Sequence, residues 1–178
     1  RMRLSTGLHW GADMGSLVSA AQKEKALDHI DDAVAKGARV LTGGVRPAGP
    51  GYFYPLTVVA DATDDMLLVK EEQFGPAVPI LKYRTVEEAL TRANSLDVGL
   101  GGSVWGNDSQ EAAALAGRLE CGTAWVNQHG GLHPLAPFGG VKGSGLGREN
   151  GVEGYDSFLE YHSYKLTPAL AASAARRP

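Results

Sequence analysis

The chain has 178 residues, 43% of them hydrophobic and 21% charged, with a formal net charge of −3. A chain of this length buries about 70% of the surface its unfolded form exposes, so a packed core is expected. The small charge, mixed in sign along the chain, gives no reason to expect a nucleic-acid partner, and no apolar run approaches the ~18 residues of a membrane span.

The basic start Arg1-Met2-Arg3 leads into Leu4-Ser5-Thr6-Gly7 rather than into a signal-type hydrophobic stretch. One cysteine, Cys121, cannot form an intrachain disulfide. Both features point to a cytoplasmic protein. Glycine is over-represented at 24 residues of 178, which implies many tight turns or close backbone approaches.

Residues 1–16 are irregular. Ser19-Ala20-Ala21-Gln22 then offers a capping box for a helix whose Leu27, Ile30 and Val34 share a face and which stops at Gly37 after Lys36. Ala38 to Leu41 reads as a strand, Gly43 to Gly51 as a loop, and Tyr52 to Val59 as extended. An acidic turn at Asp61 to Asp65 follows. A strand from Ala77 to Tyr83, broken by Pro79, suits a sheet edge or bulge.

Thr85 with Glu88 caps a helix to about Asn94, and Asp108 with Glu111 caps another bearing Ala112, Leu115, Ala116 and Leu119. Strands at Gly102 to Trp105 and Gly122 to Asn127 complete an alternation of strand and helix, the pattern of a parallel α/β sheet. His129 to Gly151 has no periodicity and reads as a long functional loop. A short helix is expected near Arg148 to Asp156, an exposed strand over Ser157 to Leu166, and a frayed tail over Thr167 to Pro178.

Several motifs have bland alternatives. The loop Gly139-Gly140-Val141-Lys142-Gly143-Ser144-Gly145-Leu146-Gly147 fits neither phosphate-binding glycine pattern. Cys121 lies between a helix end and a strand, where a thiol is packing rather than a nucleophile. His129 and His133 have a metal-binding spacing only on a helix, which Gly130, Gly131 and Pro134 oppose, so no metal site is expected. Glu71 and Glu72 before Phe74-Gly75-Pro76 read, on pattern alone, as solvated carboxylates ahead of a turn.

Taken together, however, the motifs resemble one family. Glu71-Glu72-Gln73-Phe74-Gly75-Pro76 is similar to the Glu-x-Phe-Gly-Pro signature of aldehyde dehydrogenases. Gly51-Tyr52-Phe53 with Pro55 and Thr57, Asn94 to Gly101, Gly122-Thr123-Ala124-Trp125-Val126-Asn127, and Pro137-Phe138-Gly139-Gly140-Val141-Lys142-Gly143-Ser144-Gly145 resemble further segments of that family in the same order. The resemblance covers nearly the whole chain.

It implies a Rossmann-like, parallel-sheet α/β catalytic domain over residues 1–156 and a protruding oligomerisation strand over 157–166. By the resemblance, Glu72 is expected to accept hydrogen bonds from the nicotinamide ribose of NAD or NADP, and Phe74 to wall the nicotinamide ring. Gln128, His129, Leu132 and Phe138 would line an aldehyde tunnel. Asn127, Gly75, Pro76, Gly139 and Gly140 would be structural, with Asn127 fixing the loop after it. Because that loop lacks a charged anchor, a neutral aldehyde is the expected substrate.

Family chemistry proceeds through a thiohemiacetal and a thioester on a cysteine, with a glutamate as general base. Both lie upstream of the segment matching Gly15. The chain is therefore expected to be a C-terminal portion, truncated after the catalytic cysteine and inactive alone. The segment Phe158 to Lys165 would add to a neighbouring subunit's sheet, giving a homo-oligomer. The alternative is a non-catalytic remnant acting as an oligomerisation module.

Overall fold

A computed structural model describes residues 2–168. It begins its regular structure where the capping signal predicts. The Ser19 hydroxyl accepts the Gln22 amide at 3.2 Å to open α1 (Ala20–Ala35), and Gly37, with φ of +94°, ends it beyond Lys36. Leu27 and Ile30 are buried as expected, but Val34 is 50% exposed. The apolar stripe is centred on the small residues Ala26 and Ala33, so Leu27 and Val34 lie along its rim.

The chain divides into two compact units, Arg1–Val98 with Arg118–Glu120 and Gly99–Gly117 with Cys121–Pro178. In the first, β1 (Arg39–Thr42) pairs antiparallel with β2 (Thr57–Ala60), which pairs parallel with β3 (Ala77–Pro79), giving the order β1-β2-β3. Pro79 ends an edge strand, where its missing N–H costs no ladder bond. Leu27, Ile30, Tyr54, Val59, Met66 and Leu68 form the core between α1 and this sheet.

A short helix, α2 (Leu67–Lys70), is absent from the sequence reading because its own N-cap, Met66, has no capping side chain. The cap comes from α1 instead: Asp32 Oδ2 accepts the Leu67 amide at 2.8 Å. α3 (Val86–Asn94) is capped by Thr85, whose hydroxyl accepts the Glu88 amide at 3.2 Å. The Glu88 carboxylate returns to the amide of Arg84 at 2.8 Å, one residue before the expected Thr85. Asn94 then holds Arg118–Glu120 by accepting the Glu120 amide and donating to the Arg118 carbonyl, both at 2.9 Å.

After β4 (Val98–Gly99), the second unit holds β5 (Gly101–Val104), α4 (Ser109–Ala116), β6 (Thr123–Val126), β7 (Val141–Lys142) and α5 (Gly151–Asp156). β5 and β6 run parallel, in register from Gly101 with Thr123 to Val104 with Val126, and α4 is the crossover. Asp108 accepts the Gln110 and Glu111 amides, and Ala112 and Ala116 are the buried positions of that helix. Parallel pairing is observed for β2 with β3 and for β5 with β6, whereas β1 joins antiparallel.

The glycine-dense stretch is less irregular than its sequence implies. Phe138 and Glu149 exchange backbone hydrogen bonds at 2.7 Å, an isolated antiparallel bridge that draws residues 139–148 into a closed loop. Residues 157–166, expected as a strand, belong to no helix or ladder among the described residues. The expected tail lies, beyond Pro168, outside the described residues. Among those described, no helix is long and apolar enough to cross a membrane.

Candidate functional site

Glu72, Phe74, Gly75 and Pro76 share one turn of the first unit, between α2 and β3. Its backbone is pinned at both ends. Glu71 N donates to the Leu67 carbonyl at 2.9 Å, the Glu72 carbonyl accepts Lys25 Nζ at 2.7 Å, and the Pro76 carbonyl accepts the Thr57 amide at 2.8 Å. Gln73 bridges the interior of the turn, its Oε1 accepting the Gly75 amide at 2.7 Å and its Nε2 donating to the Ala77 carbonyl at 2.9 Å.

Gly75 packs so closely that an added Cβ would lie 2.8 Å from Ala26 Cβ on α1. By contrast, the side chains of Glu72 and Phe74 are exposed, Phe74 at 74%. A rigid backbone that presents a carboxylate and an aromatic ring to solvent is what a ribose diol and a flat heterocycle require. An exposed carboxylate can accept hydroxyl donors and an exposed ring can stack, so the exposure of Glu72 and Phe74 does not conflict with the cofactor contacts expected of them. Lys25 and Gln73 escaped the sequence reading: Lys25 is forty-seven residues away from the carbonyl it binds, and Gln73 signals its role only as an amide two residues before glycine in a turn.

Asn127, Gln128, His129, Leu132, Phe138, Gly139 and Gly140 fall in the second unit. β6 ends at Asn127, whose φ of +52° is a conformation asparagine tolerates better than most residues. Its side-chain Oδ1 accepts the Gly106 amide at 2.8 Å and its Nδ2 donates to the Gly106 carbonyl at 2.9 Å. The amide thus clamps the turn between β5 and α4, not residues 128–132 as the sequence reading had it, because the left-handed backbone turns it back toward the neighbouring parallel strand.

The following loop is held by three other contacts. His129 Nδ1 lies 3.2 Å from Ser103 Oγ, with its ring centroid 5.1 Å from that of Trp125, and Trp125 Nε1 donates to the Gly131 carbonyl at 3.3 Å. Gln128 and His129 are exposed, and Leu132 is 54% exposed. Phe138, Gly139 and Gly140 line a separate cleft of about 300 Å³ with Ser144 and Leu146. Ser144 Oγ accepts the Gly99 amide at 2.7 Å, a structural role for the serine of the glycine-rich motif.

Cys121 is free and half-buried, and its thiol donates to the Thr123 carbonyl at 3.2 Å. Among the described residues there is no group of three or more His, Cys, Asp or Glu placed to hold a metal ion.

The family profile described as "Aldehyde dehydrogenase family" matches residues 1–164. A betaine aldehyde dehydrogenase of Cereibacter sphaeroides is 42% identical over 162 residues, 91% of this chain and 34% of that protein. The mitochondrial succinate-semialdehyde dehydrogenase of Rattus norvegicus is 42% identical over 159 residues, 89% of this chain and 30% of that protein. An aldehyde dehydrogenase from Bacillus cereus, solved as its NAD+ complex, superposes with a TM-score of 0.83 at 41% identity, over 89% of this chain and 32% of that one. The chain spans about a third of the length of these relatives.

Proposed function

The chain belongs to the aldehyde dehydrogenase family, and from that premise we propose that it supplies the nicotinamide-side turn and a substrate-side loop to an NAD(P)-dependent oxidation of an aldehyde to a carboxylic acid. The observation that carries this is the turn at 71–76. Lys25, Gln73 and Thr57 hold its main chain while Glu72 and Phe74 remain free. Glu72 would accept the two ribose hydroxyls and Phe74 would stand beside the nicotinamide ring; the dinucleotide supplies the hydride acceptor.

On the substrate side, Gln128, His129 and Leu132 would line the approach of the aldehyde, with Phe138 beside them in sequence. None of these side chains carries a full fixed charge, which supports a neutral aldehyde. The covalent steps are assigned to a cysteine other than Cys121, which is half-buried with its thiol donating to the Thr123 carbonyl. The 178-residue chain is therefore proposed to form no NAD(P)H from aldehydes by itself.

Two measurements test the reading. In a family-length enzyme carrying this segment, Glu72→Gln should weaken NAD(P) binding about tenfold, the loss of charge-assisted acceptance by the ribose hydroxyls. An unchanged affinity would remove Glu72 from the cofactor site. With the pure 178-residue protein, steady NAD(P)H formation from any aldehyde would show that this chain holds a nucleophile of its own.

The exposed aromatic residues Phe158, Tyr161 and Tyr164, at 89%, 97% and 73%, support a second role for residues 158–165, strand addition to another subunit. An oligomerisation module without catalysis would share this feature.

A further inference from the structure

α1 presents Lys25 and His29, one turn apart, to the start of the 71–76 turn. His29 is 2% exposed; its Nε2 lies 3.6 Å from Glu71 Oε2, and its Nδ1 is buried with no hydrogen-bond partner. Lys25 Nζ lies 3.7 Å from the same Glu71 oxygen while donating to the Glu72 carbonyl at 2.7 Å. The other charged group near the imidazole is Asp32, whose carboxylate is engaged by Lys36 and by the Leu67 amide.

A buried imidazole with a polar neighbour on one side only has a preferred tautomer. A buried N–H without an acceptor is rarer, and costlier, than a bare acceptor nitrogen without a donor. A proton therefore belongs on Nε2, the nitrogen that faces Glu71. The 3.6 Å separation is an electrostatic approach rather than a hydrogen bond, and the Glu71 side chain, 51% exposed, has the freedom to close it.

We propose that His29 is a positioning residue for the cofactor turn: through Nε2, the nitrogen that faces Glu71, it holds the Glu71 carboxylate and so sets the direction in which Glu72 and Phe74 leave the main chain. Its link to catalysis rests on the reading of Glu72 and Phe74 as cofactor contacts. The brace itself does not, because every contact in it lies within the chain. The imidazole acts from the buried side of the turn and Lys25 from its rim, and together they restrain adjacent residues.

Long-range proton–nitrogen correlation spectra of the 178-residue protein report the tautomer directly. A proton on Nε2 is the expected result; a bare Nε2, with the proton on Nδ1, overturns the proposal. Hydrogen–deuterium exchange then reports the positioning. His29→Leu, which keeps the bulk and loses the donor, should raise exchange across 71–76 about threefold or more with α1 unchanged. His29→Gln, whose amide nitrogen reaches the Nε2 position, should restore the parent rate.

If His29 only fills space, His29→Leu leaves the turn's exchange unaltered or raises it together with that of α1, and either outcome overturns the brace. Should His29→Leu fail to fold, the tautomer of the unsubstituted protein decides. Neither measurement contains a cofactor. An Nε2–H tautomer with a loosened turn, alongside unchanged cofactor affinity in Glu72→Gln, supports the brace and removes only the functional reading.

Discussion

Asn127 occupies a left-handed conformation at the end of β6 and clamps both backbone groups of Gly106. The two contributions can be separated by substitution. Asn127→Gly keeps the backbone geometry and loses the clamp; Asn127→Ala loses the clamp and also strains the backbone. Asn127→Ala should therefore be the less stable by about 1 kcal/mol, measured by chemical unfolding. Equal stabilities would mean that the conformation imposes no cost. The asparagine was visible in the sequence; its partner was not, because Gly106 is twenty-one residues away and meets it only through the β5–β6 pairing. Gly122 makes the same point, since a Cβ there would collide with the carbonyl oxygen of Gly139, a constraint invisible until the glycine loop has closed.

Helix starts were the most legible elements. Ser19, Thr85 and Asp108 each cap the helix that follows, since capping is settled within about four residues. α2 is the counterexample. Its cap, Asp32, belongs to α1, and the Lys36 ammonium and the Leu67 amide hold this carboxyl below the usual carboxylate range. A carboxylate depressed in the folded state contributes stability that is present above the unfolded value near pH 4 and is lost as pH falls through the folded one. Asp61, beside Lys82 and Arg39, and Glu87, beside Arg118, act in the same direction. Melting temperature should thus fall as pH drops below about 4, and less steeply in Asp32→Asn than in the parent. Added salt should narrow the difference, because these groups are solvent-accessible. Identical pH profiles would exclude Asp32 as a source of acid sensitivity.

At the scale of the molecule, the exposed aromatic side chains near the end of the described residues bear on assembly. Phe158, Tyr161 and Tyr164 are followed by no covering element among the described residues. If residues 158–165 add to another subunit's sheet, sedimentation velocity should give a discrete oligomer whose proportion rises with concentration, and replacing Phe158, Tyr161 and Tyr164 by serine should return it to monomer. A monomer at all concentrations would refute strand addition. A continuous spread of sizes would instead show nonspecific association of apolar surface.

The sequence by itself determined what depends on near neighbours and on ordered motifs: the capped starts of α1, α3 and α4, the alternation behind the parallel β5–β6 pair, and the family to which 71–76, 122–127 and 137–145 point. Tertiary structure decided what depends on residues distant along the chain. It made β1 antiparallel, exposed Val34, created α2 through Asp32, turned the Asn127 amide toward Gly106, and set His29 and Lys25 behind Glu71 and Glu72. The reason is common to all of these. A local pattern fixes the conformation a segment prefers, whereas the partner that satisfies a buried or charged group is chosen only when packing brings remote segments within about 3 Å.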